Sequence, residues 1–575
     1  MKKQFLSKIL ISFMVITNNF VNAQQWGLYT LYAPNNGVKT FLIDTNGIAF
    51  KTWTFDLSHK TGFSVYLIPG DTLLRPVAHS NQLTGVALTG EVQKVTWDGT
   101  VVWDYVHSSS TYCLHHDICP MPNGNILMIA YELKTVSEAS QSGCSSAIEI
   151  LPEKIIEVKP TGPTTGTIVW EWHLWDHLCQ NYDSTKDNYV CSVIDNPQLM
   201  NINYKTLRDW WHMNGIDYNP VLDQISVSSR KMNEIYIIDH STTTVEAAGH
   251  TGGNSGKGGD FLYRWGNPEA YGDTGTTNFN VVHDAHWISA SDVNYPNYLC
   301  GFNNNGGTGG KSCIDIISPP YNGYNYSFSP GQPIPPSTYA YRHTSDYNTP
   351  FLGSSEQLPN GNMLVCISTE GYIYEINSSG TTLWSKTVIG QPVNAIRYDK
   401  CYVRGPQVAA SASSTTVTSG TPITLYSSAI SVTETSPSYT YSWSSNPSGF
   451  TSNSQNPTDS PISSIIYTVT ITDTIAGCSD TSSVTVDVVT GINNDTESDK
   501  LYMYPNPTKG IINIEYPIID LENTEIIIFD ICGNPVFQSG FIKSIDLEGF
   551  ENGIYFLSVS TGNIKNISDK IILIK

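Results

Sequence analysis

Charge is scarce in this chain. Only 14% of its 575 residues are charged, and just 30 are Lys or Arg against 51 Asp or Glu. The net charge of −21 becomes −24 once Lys2, Lys3 and Lys8 leave with a leader peptide. Such a balance disfavours nucleic acid and anionic membranes as partners, since both are bound through clustered cations. Any anionic substrate must then be held in a local cationic pocket. No Gly-rich cradle of the GxxxxGKS type occurs, so nothing points to nucleotide binding of that kind. The helical His-Glu-x-x-His spacing of zinc hydrolases is missing too. Past the leader no segment approaches 18 continuous apolar residues, so no transmembrane helix is expected.

What is present begins with an export signal. Basic residues, an apolar run from Ile9 to Ile16 and the small-residue site Val21-Asn22-Ala23 predict a secretory signal peptide over residues 1–23. The 11 cysteines are an odd number, so at least one is unpaired or bridges chains. By proximity, Cys113 with Cys119 and Cys179 with Cys191 are candidate disulfides.

Aromatic residues make up 11% of the chain, with 33 Tyr and 13 Trp, enough apolar area for sheet-rich cores. Residues 24–402 read as short alternating strands between Asn, Gly, Pro and Asp turns, with hardly a helical period. One unit recurs in weak form, in MPNGNILMIAYE, YNPVLDQISVSSRKMNEIYIID and LPNGNMLVCISTEGYIYEIN. A Gly-x-x-x-Trp close often follows, ending at Trp103, Trp170 and Trp384. Such repeats predict a β-propeller of about five or six blades. The fold class expected is all-β, a six-bladed-type propeller followed by two small β-sandwich domains. The first sandwich, residues 405–490, is Ser/Thr-rich. Its Tyr441-Ser442-Trp443 strand and its hairpin from Asp473 to Cys478 resemble a PKD-type or Ig-like module, although Cys478 lacks a partner inside it. A polar linker, residues 492–500, leads to the second, residues 501–575.

Radial repetition brings equivalent positions of different blades to one axis. His116, His212 and His283 each precede the next strand of their unit, and Arg230 closes the run ISVSSR. The copy before LPNGNMLV carries Gly353, Ser354 and Ser355 instead, so the cluster is one-sided. His115 and His116 are adjacent and point to opposite faces of an ideal strand, so one of them faces the channel; His116 is preferred and His115 is the alternative. His286 falls opposite His283 on an extended strand and reads as a packed side chain beside Trp287. His173 and His177 close the pocket or cover its rim, and Arg264 pairs with a carboxylate or stacks on Trp265.

Two resemblances give these positions chemistry. HHDICPMPNGNIL, WEWHLWDHL, DWWHMNGIDYNPVLDQISVSSR, YRWGNPEAYG, VVHDAHWI, GFNNNG and SSEQLPNGNMLV, spread over roughly residues 90–390, resemble the arylsulfate sulfotransferases. That resemblance implies a nucleotide-independent transfer of a sulfuryl group from a phenolic sulfate ester to a phenol, with no cofactor or metal. It also implies a sulfated His283 as intermediate, in a pocket lined by His116, His212 and Arg230. The chemistry suits those residue types. Charge spreads over the oxygens of a transferring sulfuryl group, so a guanidinium fork and imidazole donors stabilise it, and a neutral imidazole is a competent nucleophile. Acceptor choice is expected to rest on Gly-rich loops such as residues 249–260 and 306–311. The last 75 residues, with Tyr504-Pro505-Asn506-Pro507, Gly510, Asp530, Gly533, Gly553-Ile554-Tyr555, Lys570 and Lys575, resemble the C-terminal sorting domain of type IX secretion cargo. This implies secretion or cell-surface display, with the type IX machinery as partner. Two other classes fit the same histidines: a non-catalytic propeller adhesin or binding module, and a metal-dependent hydrolase.

Overall fold

A computed structural model describes residues 25–575 apart from residues 70, 432–436, 490–501, 516–523, 532 and 562–564. The leader, residues 1–23, and the linker, residues 492–500, lie outside the described residues. Six antiparallel sheets of four or five strands succeed one another between Tyr29 and Tyr398, and they are the blades of a propeller. Blade 1 is closed by both ends of this region: Tyr29–Pro34 pairs with Pro392–Tyr398, placing Tyr29 opposite Tyr398. The innermost strands of blades 1 to 6 are Pro392–Tyr398, the broken pair Lys60–Thr61 and Tyr66–Ile68, Tyr112–Pro120, Met213–Asn219, Val282–Trp287 and Ser354–Gln357.

Apolar side chains fill the space between neighbouring blades. Leu127, Ile155 and Trp172 of blade 3 pack with Val227 and Tyr236 of blade 4, for instance. A middle strand such as Glu234–Asp239 is buried along its whole length, because a blade is covered on both faces by its neighbours. The outermost strands, such as Val101–Val106, keep an exposed face. Burying each large side chain is worth roughly 1.5–3 kcal/mol, which makes the blade-to-blade seams the main store of stability.

The Gly-x-x-x-Trp close has a specific role in these seams. The indole N–H of Trp103 in blade 2 donates to the Thr165 carbonyl of blade 3 at 3.0 Å, and that of Trp384 in blade 6 to the Thr45 carbonyl of blade 1 at 2.7 Å. Trp53, Trp170 and Trp265 reach in the same sense to Thr96, Thr242 and Pro336. In blade 5, which has no such Trp, His343 Nε2 meets the Tyr374 hydroxyl of blade 6 at 3.0 Å.

Beyond the propeller, residues 407–489 form two facing sheets around Leu425, Trp443, Tyr467, Val469 and Ile471. Cys478 pairs with Cys401, 77 residues earlier on the short helix Lys400–Arg404, so this disulfide bolts the sandwich to the end of the propeller. Neither disulfide suggested by sequence proximity forms: Cys113, Cys119, Cys179 and Cys191 are free. Cys113 and Cys119 lie on one continuous strand, and at about 3.3 Å per residue they are held well beyond disulfide reach. The last unit is again two sheets, around Ile512, Ile526, Ile528, Leu557 and Ile571. Its Asn506 clips the final strand, donating from Nδ2 to the Lys570 carbonyl at 2.6 Å and accepting from the Ile572 N–H at 2.8 Å.

Candidate active site

The blades converge on a cavity of about 30 Å³ on the propeller axis. Each contributes to its wall: Asn394 from blade 1, Ser64 from blade 2, His116 from blade 3, Asn214 from blade 4, His283 from blade 5 and Ser354 from blade 6. A second chamber of about 330 Å³ continues from it past Tyr66, Asp117, Asp284, Ser354 and Asn394, and adds Asp217, Glu356 and His286.

The inner strands are not regular where they meet the cavity. The ladder slips between Met128 and Ala130 opposite His115 and His116, between Met213 and Gly215, and between His283 and His286. At these bulges His116 (φ 50°), His212 (φ 58°) and Asp284 (φ 55°) take left-handed backbone conformations. Such conformations cost about 1–3 kcal/mol each in non-Gly residues, and here they turn side chains toward the axis that a flat strand would point elsewhere.

Of the four residues expected at the pocket, His116 and His283 line the cavity, whereas His212 and Arg230 are not in its wall and bear on these two from beside it. The rings of His116 and His212 meet edge to face with centroids 4.7 Å apart. Arg230 follows the strand Gln224–Ser229, and its backbone N–H donates to the His212 carbonyl at 3.0 Å. Among the described residues its guanidinium has no hydrogen bond or ion pair, yet its charge bears on both His116 and His283. His115 lies behind His116, stacked on Tyr131 at 3.7 Å, with the two Nδ1 atoms 2.8 Å apart.

His283 has one ring nitrogen fixed. Its Nδ1 is 2.6 Å from Asn304 Oδ1, while Asn304 Nδ2 donates to the carbonyls of Thr349 and Leu352 at 2.7 Å each. With both amide hydrogens committed to carbonyls, the oxygen of Asn304 is the atom facing His283 and can only accept. Nδ1 therefore carries the proton and Nε2 the lone pair. Burial pushes the His283 imidazole down to about 3; the Asn304 bond opposes this, and the charges of His212 and Arg230 add to it. Burial first, then His212, holds His116 well below its ordinary value as well.

His212 is paired differently. Its Nδ1 is 2.6 Å from Asp209 Oδ2, and Tyr131 donates to the other oxygen at 3.2 Å. Burial alone would raise the Asp209 carboxyl, but the hydrogen bond and charge of His212 hold it below the usual carboxylate range.

Other titratable side chains lie outside this constellation. His286 turns into the second chamber, with Nδ1 2.9 Å from the Asp284 carbonyl, because the slip after His283 breaks the alternation that would have packed it beside Trp287. His173 sits between Glu132 and Glu171, His177 bonds to Asp260, and Arg264 forms a buried pair with Glu234. The chamber's carboxylates stitch the blades together. The N–H groups of Ile216, Trp287, Ser355 and Arg397 donate to Asp117, Asp217, Asp284 and Glu356 of the preceding blade at 2.8–3.3 Å. Burial pushes Asp117 and Glu356 up to about 7.

A family model for arylsulfotransferase (ASST) matches residues 39–387, more than half of the chain. The chain belongs to the arylsulfotransferase family. The secretion system C-terminal sorting domain model matches residues 502–575. This family member is thus a secreted sulfotransferase, and its tail implies the type IX machinery. Among the described residues no helix is long and apolar enough to cross a membrane. No curated protein matches the chain. Similar solved structures include virginiamycin B lyase from Staphylococcus aureus, 9% identical, covering 64% of this chain and 78% of its own, with a TM-score of 0.28. The periplasmic gluconolactonase of Pseudomonas aeruginosa is 10% identical over 64% of this chain and 99% of its own, with a TM-score of 0.33. PorZ, a surface component of the type IX secretion system of Porphyromonas gingivalis, is 12% identical over 96% of this chain and 75% of its own, with a TM-score of 0.21. At these scores they carry no argument about this chain's chemistry.

Several polar partners in its site had no assigned role in the sequence reading. Asp209 opens the DWWHMN word and Asn304 sits in GFNNNG, so both were in view as motif letters without a function. Asn214 donates to the Val282 carbonyl at 2.8 Å and accepts from Ser228 at 2.7 Å, holding the strand that bears His283. Its place beside His212 in WHMN was the available signal.

Proposed function

We propose that this protein moves a sulfuryl group from a phenolic sulfate ester to a phenolic acceptor, without a nucleotide, through a sulfated His283. The observation that carries the reading is the Asn304 bond to Nδ1, which leaves a neutral ring with its Nε2 lone pair in a cavity sized for a small oxyanion head rather than an aryl ring. Nε2 attacks sulfur as the bond from sulfur to the phenolic oxygen breaks. His212 enters this step as the imidazolium, keeps Nδ1–H on Asp209 and gives its Nε2 proton to the departing oxygen. In the second half-reaction His212 takes the proton of the acceptor phenol, whose oxygen attacks sulfur and frees Nε2.

Arg230 holds the sulfuryl oxygens as their charge develops; its charge bears on His116 and His283, and among the described residues no carboxylate pairs with it. His116 assists. Its neighbour His115 is buried with Nε2 unpartnered, and an orphaned lone pair is cheaper than an orphaned N–H, so His115 donates from Nδ1 and His116 presents Nε2–H to the cavity. The charge of Arg230 disfavours a divalent ion among these histidines. Residues 405–490 serve as a PKD-type spacer between the enzyme and its sorting unit.

An aryl sulfate assay with and without an added phenol tests this reading. Acceptor-dependent release of the donor phenol supports transfer. Release to water alone would make the protein a sulfatase, and no turnover would make it a binding module.

A further inference from the structure

A second group of convergent side chains lies away from the sulfuryl cavity. His177 ends the 3-10 turn Leu174–His177 at the outer edge of blade 3, and His250 and Asp260 belong to the Gly-rich loop after the short helix Thr244–Ala247 of blade 4. Among the described residues this is the one set of three such side chains whose ligand atoms all lie within 4.8 Å of one another. Nδ1 of His177 is 2.9 Å from Asp260 Oδ1, and Nδ1 of His250 is 2.7 Å from the same oxygen.

The far side of His177 settles its tautomer. Nε2 lies 2.8 Å from the Ala247 carbonyl, which can only accept, so Nε2 carries a proton and the neutral ring presents a lone pair from Nδ1. That lone pair points at a carboxylate oxygen already approached by a second imidazole. The arrangement needs a positive charge there, supplied either by a second ring proton on Nδ1 or by a cation bound between the three side chains. A histidine ligand that donates its remote N–H to a backbone carbonyl is also the usual support of a bound metal ion.

The surroundings make the His177 edge rigid and the His250 edge open. The His177 ring is fully buried and stacks on Trp172 at 5.5 Å and 3°. Trp172 in turn donates to the Gly259 carbonyl at 2.7 Å. Gly259 packs so closely that a Cβ there would come 2.0 Å from the Ala247 carbonyl and 2.6 Å from His177 Nε2. His250 is 60% exposed, which leaves a coordination position for water.

We propose that His177, His250 and Asp260 hold a divalent transition-metal ion, with zinc the best match, pinning this loop to the propeller wall. Two imidazoles, one carboxylate and a water make a tetrahedral N/O set suited to zinc, and the ligands would part to about 3.3 Å at metal–ligand distances of ~2.0–2.1 Å. The ion is structural. Trp172 lies 6.1 Å from Trp211, the residue before His212, so the pinned loop backs the wall that carries His212.

The full exported chain should be loaded with zinc chloride, gel-filtered in metal-free buffer and analysed for zinc, with Tm measured before and after chelation. The site predicts about one zinc ion retained per chain and a lower Tm on chelation that zinc reverses. His250→Ala, a change at an exposed side chain, and Asp260→Asn should each weaken zinc binding at least ten-fold and abolish the chelator effect, whereas His283→Ala should retain zinc. If the wild-type chain holds no zinc and ignores the chelator, or if the two variants bind as tightly as wild type, the cluster is a protonated imidazole–carboxylate clasp and the proposal is overturned. Neither result bears on the sulfuryl-transfer reading.

Discussion

Nδ1 of His283 lies 2.6 Å from Oδ1 of Asn304, a neutral acceptor rather than a carboxylate. A neutral acceptor orients the ring without making it basic, and under the proposed mechanism that keeps a sulfated ring a good leaving group. Asn304→Asp should therefore raise the His283 pKa from about 3 and move the acid limb of the kcat/KM profile upward. Transfer to the acceptor should slow by about ten-fold or more as the adduct is stabilised. An unchanged pH profile would detach Asn304 from the nucleophile.

Asp209 bears on the departing group. Asp209→Asn removes the carboxylate from His212 and should lower kcat with phenyl sulfate by roughly 100-fold or more. With 4-nitrophenyl sulfate, whose phenolate leaves without help, the defect should be clearly smaller. Equal losses with both donors would exclude proton transfer through His212.

Arg230→Lys keeps the charge and loses the planar fork. The rate should fall by at least about ten-fold if the guanidinium grips the transferring oxygens. Wild-type turnover in this variant would place Arg230 outside the site.

The acid stability of the fold also reports on His283. Its folded pKa of about 3 lies below the ordinary histidine value, so between the two the unfolded chain binds more protons and stability falls as the pH drops. From pH 7 to pH 5 the wild-type protein should lose about 2 kcal/mol through this residue alone. Asp117 and Glu356, raised to about 7, act in the opposite sense: their contribution is present in acid and is lost as the pH rises through 7. Comparing His283→Gln with wild type cancels these carboxylates. Denaturant unfolding at pH 7 and pH 5 should show a shallower loss in the variant, and equal losses would contradict the buried neutral ring.

How far the sequence reaches depends on the range of the interaction that sets each feature. Turns and strands were legible because Asn123-Gly124 and Asn360-Gly361 are local signals, and the Trp103, Trp170 and Trp384 closes mark the end of the repeated unit; that each bonds to the next blade is a long-range feature. The same local reasoning erred over the cysteines, since Cys478 pairs with Cys401 across 77 residues while neighbours on one strand stay apart. It also treated His115, His116, His283 and His286 as points on flat strands. The bulges and positive φ values that re-aim them arise from packing around a shared axis and leave no period in the sequence. Partners such as Asn304 and Asp209 are ordinary polar letters until a fold places them 2.6 Å from a histidine nitrogen.

Trapping the intermediate tests the account most directly. Enzyme mixed with an aryl sulfate and no acceptor, quenched rapidly and digested at alkaline pH to protect an acid-labile N-sulfate, should gain one sulfuryl mass on the peptide containing His283. His283→Ala should abolish that mass, while His116→Ala or His212→Ala should only slow its appearance. An adduct that persists in His283→Ala, or wild-type turnover with sequential kinetics and no adduct, would contradict the sulfohistidine mechanism.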